Sequence, residues 1–265
     1  MKPAKIIAFL ILCLHTAAYA ADSRTSGSSK WNVEKSDHFI VYYRDAPAED
    51  VTRINEYAER YYHNITEELG FTRFEDFWTW DVRVKIHLYN TRSEYIKETK
   101  RSEWSAAHIN VITRDLYAYL DMANFLDVIL PHELGHIIFR EYVGFKRELP
   151  LWIDEGVVSY LEKNLNNDRL MVARAVAKTS HFTPLDMLNK SRPGVSMLPE
   201  VFYAEAASII EFLITAFGKD KFFDFCEQLK YLRFDQDWFD AVRETYHFKN
   251  IGDMNEKWIA WLKEK

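Results

Sequence analysis

Apolar positions along this chain change period part-way. In the front part, short strand-like runs flank one long helical segment; after Met122 the spacing is helical and stays so. His38 to Tyr43 reads as a strand. Val51, Ile54, Ala58, Tyr61, Ile65 and Leu69 then fall at helical spacing, with Gly70 as a stop. Val82, Val84, Ile86 and Leu88 alternate with polar residues, the pattern of a half-buried strand. Thr91 or Ser93 can cap a short helix running to about Arg101. Residues 106–112 and 116–122 look like two strands joined by a tight turn at Thr113-Arg114-Asp115. Asn124 with Asp127 three residues on has the form of a capping box that opens the next helix, which must then kink at Pro131. From Pro150 onward five or six more helices are expected, among them Val201–Ala216, Lys219–Tyr231, Asp235–Tyr246 and Met254–Lys263. The class is α+β: a small N-terminal mixed or antiparallel sheet with helices, followed by a mainly helical part.

The N-terminus refines the domain picture. Lys2 and Lys5, the apolar run Ile6–Leu14 and Ala18-Tyr19-Ala20 form a secretory signal, so residues 1–20 are expected to be removed after Ala20. The run is far shorter than the roughly 20 residues that span a bilayer, so no integral membrane span is expected. Residues 21–35, rich in Ser, Gly, Lys and Asp, read as a flexible leader. The folded domain is expected over 36–265, strand-rich over 36–122 and helical over 123–265. Without Lys2 and Lys5 the formal charge of −6 becomes −8, which argues against a nucleic-acid partner. Cys226 is then the one remaining cysteine, and its apolar neighbours make it a buried small hydrophobe. An acidic chain with a signal and no possible internal disulfide suits an exported protein, periplasmic or secreted.

The candidate chemistry lies in Leu130–Tyr142, LPHELGHIIFREY. Residues four apart on a helix share a face, so His132 and His136 can direct imidazole nitrogens at one ion at roughly 2.0–2.1 Å. Glu133 is then placed to act on water as a general base instead of ligating. Such a pentapeptide also arises by chance, and a third ligand decides between the readings. Eighteen residues after His136, Glu155 lies in LPLWIDEGVVSYLE, where Trp152, Val157, Val158 and Leu161 offer an apolar face for a second helix against the first. Two imidazoles and one carboxylate leave a fourth position open, the make-up of a catalytic zinc site with one Zn2+ per chain. Asp154 would face away if Glu155 faces in; Glu141, Glu148 and His181 are weaker candidates. Phe139 and Tyr142 stand where the metzincin pattern needs Gly and His, which excludes that class.

HELGH, eighteen residues, then Glu within WIDEGVVSY resembles the gluzincin metallopeptidases, above all the peptidase MA-like domains related to aminopeptidase N. The resemblance implies His132, His136 and Glu155 as zinc ligands, Glu133 as general base and a peptide or protein substrate. It also implies a downstream tyrosine whose hydroxyl stabilises the oxyanion; Tyr203 has that setting, and with 15 tyrosines in the chain a structural Tyr203 stands beside this reading. The aminopeptidase segment G-x-M-E-N is absent and residues 105–111 hold no acid, so an endopeptidase that pairs an extended peptide with an edge strand is the expectation. His108 there could touch substrate, although a packed histidine is the simpler reading. Ser159 occupies the place where thermolysin-like enzymes carry an aspartate supporting a ligand. A binding or assembly protein on the same scaffold, without turnover, is the alternative.

Overall fold

Strand order follows from where each alternating run finds its partner. The computed structural model describes residues 30–71, 82–102, 105, 107–145 and 148–264. Five strands, β1 (Asn32–Lys35), β2 (Phe39–Tyr43), β3 (Val84–Tyr89), β4 (His108–Asn110) and β5 (Asp115–Tyr119), form one mixed sheet in the order β1-β2-β3-β5-β4. The hairpins β1/β2 and β4/β5 are antiparallel, whereas β2/β3 and β3/β5 are parallel. Parallel neighbours need crossover connections, and helix α1 (Ala48–Glu68) and helix α2 (Arg92–Thr99) lie in those connections. The last four residues of the expected leader are thus strand β1, held to β2 by a ladder; the signal segment lies outside the described residues.

The alternation works as a face code. Phe39, Val41, Val84, Ile86, Leu88, Leu116 and Ala118 are buried on one side of the sheet. On the other, Tyr42, His87, Tyr117 and His108 stand in register across four strands, and their rings stack at 5.0, 4.5 and 4.5 Å between centroids. Thr91 caps α2 by accepting from the Glu94 N–H, and Gly70, at φ +77°, follows α1 in the left-handed conformation that suits the expected stop.

The helical part comprises α3 (Leu130–Val143), α4 (Leu151–Leu161), α5 (Lys163–Val176), α6 (Leu185–Leu188), α7 (Pro199–Phe217), α8 (Lys219–Tyr231), α9 (Trp238–Tyr246) and α10 (Ile251–Glu264). Seven helices therefore follow Pro150 among the described residues, the extra one being the four-residue α6. Helix α10 carries an anchor: Trp258 is fully buried and donates from Nε1 to Ser208 Oγ at 3.1 Å. Cys226 is buried, as expected, and burial pushes its thiol pKa up.

By contact density the described residues form two compact units, one within 30–60 and 82–133, the other within 61–71 and 134–264. The divisions fall inside α1 and α3, each of which is one unbroken helix. Among the described residues no helix is long and apolar enough to cross a membrane. The aromatic segment Phe74–Trp80 lies outside the described residues.

Candidate metal centre

The approach to the HELGH helix differs from the expected capping box. Asn124 has φ 61° and makes no side-chain cap bond; Phe125–Ile129 instead form one π-helical turn, closed by the Leu130 N–H donating to Phe125 O. Pro131 lies just past that turn, in the first turn of α3, where a missing N–H is cheapest. The wide turn runs directly into α3, which carries both histidines.

His132, His136 and Glu155 converge. One nitrogen of each imidazole and one carboxylate oxygen lie within 4.8 Å of one another, and all three residues are buried. His136 Nε2 is 3.6 Å from Glu155 Oε2. Glu133, next to the first histidine, has no solvent exposure. Burying a carboxylate beside two imidazoles costs free energy that ordinary packing does not return, whereas a shared cation would offset it. Two nitrogens and one carboxylate are also the donor set that suits a borderline divalent cation with room for a further ligand. The residues fit a metal.

Two motif glycines explain how the helices come close enough. A Cβ at Gly135 would meet Val158 Cγ2 at 3.2 Å, so the glycine lets α3 lie tightly against the Val158 side chain of α4 at that turn. On the far side of α4, a Cβ at Gly156 would lie 2.7 Å from the carbonyl oxygen of Ala206 in α7. Helix α4 is therefore buried on all sides from Trp152 to Ser159, and not only on the apolar stripe of Trp152, Val157 and Val158.

Sequence reasoning missed a buried ion pair that joins α3 to α4. Arg140, one turn beyond His136, donates from Nε to both carboxylate oxygens of Asp154 at 2.9 and 2.8 Å, and its Nη2 also bonds Oδ2. Both side chains are buried. Asp154 does face away from the ligand cluster, as expected, but toward a buried guanidinium and not toward water. The signal was present in the sequence: an arginine four residues after the second histidine and an aspartate adjoining the glutamate.

Other expected residues have the following places. Tyr203 is on α7, half-buried, with its ring centroid 5.7 Å from that of Phe202 in an edge-to-face arrangement. His108 Nδ1 is 3.1 Å from the Tyr95 hydroxyl, which also bonds Ser105 Oγ at 2.7 Å, and its ring stacks on Tyr117. Burial, aided by the charge of Arg101, pushes its pKa down to about 3, so it is a packed neutral histidine. Ser159 is buried on α4, and its carbonyl accepts from Arg169 Nη1 at 2.9 Å. Glu141, Glu148 and His181 are outside the ligand cluster.

A search of curated proteins finds no match. The family model described as Peptidase MA superfamily matches residues 103–264, more than half of the chain, and the match includes both helices that carry the candidate metal cluster. The chain therefore belongs to the peptidase MA superfamily.

Proposed function

We propose that the protein is an exported zinc-dependent endopeptidase. The observation that carries this reading is the buried convergence of His132, His136 and Glu155 with Glu133 alongside. His132, His136 and Glu155 hold the ion, and when bound, zinc supplies a Lewis acid at neutral pH. Glu133 takes the proton from the attacking water and returns it to the departing amine, which requires an ionisable group, not a ligand, at that place. Tyr203 donates a hydroxyl hydrogen bond to the developing oxyanion. Strand β4 is an edge of the sheet, and a substrate in extended conformation bonds to its backbone. The export reading rests on the signal pattern of residues 1–20.

The test compares the wild type with Glu133→Gln by metal analysis and by cleavage profiling on a mixed peptide library. Expected are one zinc at this centre in both proteins and cleavage by the wild type only, with the variant lower by about 10²-fold or more. Equal zinc with no cleavage by either protein would replace the peptidase reading with a non-catalytic binding scaffold.

A further inference from the structure

We propose that His38, Glu59 and His63 form a second divalent-cation site, separate from the buried centre and open to water. His38 stands immediately before β2; Glu59 and His63 are one turn apart on α1 and so share a face. One ligand atom from each of the three lies within 4.8 Å of the others. Glu59 Oε2 is 2.6 Å from His38 Nδ1, and its Oε1 accepts the His38 backbone N–H at 2.7 Å. A cation with bonds of about 2.0–2.1 Å in tetrahedral array needs ligand atoms roughly 3.3 Å apart. The three ligand atoms therefore have to draw together by up to about 1.5 Å on binding, with His63 the exposed member of the three.

The chemistry of the pocket is already arranged for a cation. The proton between His38 Nδ1 and Glu59 Oε2 is the one a metal would displace, while the backbone N–H on Oε1 keeps the carboxylate oriented, as outer hydrogen bonds do in metal sites. Burial opposes charge on Glu59, but bonds from His38 and Ser36 more than offset this and hold its carboxyl below the usual range. Two imidazoles with one carboxylate favour Zn2+, Cu2+ or Ni2+ over Mg2+ or Ca2+. Partial exposure leaves room for water to complete the coordination. Bound metal would tie the turn that enters β2 to the middle of α1.

The experiment uses the metal-stripped full chain titrated with Zn2+ by equilibrium dialysis, with histidine 15N spectra recorded in parallel. The wild type is expected to bind two equivalents. His63→Ala and His38→Ala should each bind one, with His132 and His136 signals still responding. His136→Ala should retain the equivalent that moves the His38 and His63 signals. His63 is exposed, so its substitution opens no cavity in the core. A wild type that binds a single equivalent, lost in His136→Ala, would overturn this site and leave the buried centre intact. A second equivalent that survives both His38→Ala and His63→Ala would overturn it as well. A single equivalent lost only with His38 or His63 would support this site and remove the buried one.

Discussion

Replacing Asp154 with Asn keeps the shape of the clamp and removes its charge, which makes the Arg140–Asp154 pair a sharp test of how the two ligand helices are held. Arg140 is 7% exposed and Asp154 is 2% exposed, so water cannot take over for the lost partner. Breaking one side of a buried ion pair in this way costs about 3–5 kcal/mol. Replacing both residues with apolar ones of similar volume, Arg140→Met with Asp154→Leu, leaves no charge behind and should recover most of that loss. The assay is urea unfolding of the metal-free wild type, both single variants and the double variant, read as a double-mutant cycle. The same proteins titrated with Zn2+ should show binding at His132, His136 and Glu155 weakened by about tenfold in the single variants, on the scale of lost supporting bonds around metal ligands. A cost below about 1 kcal/mol for Asp154→Asn, or a double variant as unstable as the sum of the singles, would show that the pair does not set the register of α3 on α4.

Other consequences are open to measurement. Gly156→Ala puts a methyl against the Ala206 carbonyl and should destabilise by about 1–3 kcal/mol in chemical unfolding, whereas Gly135→Ala meets only a movable valine methyl and should cost less. Glu205 is fully buried, Oε1 accepts the Thr183 N–H at 2.9 Å, and burial raises its pKa from 4.5 to about 7. The folded form therefore holds this proton more tightly than the unfolded chain. Its contribution is complete below pH 4.5 and is lost as the pH rises to about 7, amounting to roughly 3 kcal/mol. Glu205→Gln should remove that slope from the pH dependence of unfolding and be the more stable protein at pH 8. His108, with its pKa near 3, should keep the 15N shifts of a neutral ring from pH 8 to pH 5, and titration near 6.5 would contradict its packed setting.

Much of the fold was legible because it is local. Helical spacing located α1 and α7 to within a few residues and α8 at both ends, period-two alternation located β3, and strand-like runs located β2 and the β4/β5 pair, whose strands are shorter than expected and whose second strand takes in Asp115 from the expected turn. The candidate metal cluster was legible for the same reason: His132 and His136 are one turn apart on one helix, a geometry fixed by the backbone. Glu155 could be inferred because the neighbouring residues demanded a second buried helix. The Asn124–Asp127 cap was misread because the same residues that cap an α-helix also tolerate a left-handed backbone, and the chain used Asn124 in that way before a π-helical turn.

The sequence by itself determined the element types and the donor chemistry, since both follow from side-chain identity and from spacing along one element. Only the tertiary structure decided the parallel pairing of β2, β3 and β5, the inclusion of Asn32–Lys35 in the sheet, and the pairing of Arg140 with Asp154. It also showed why two motif positions are glycine: one carries α3 against α4, the other α4 against α7. These features depend on the relative placement of separate elements, and no periodicity within one element encodes how close its neighbour will come.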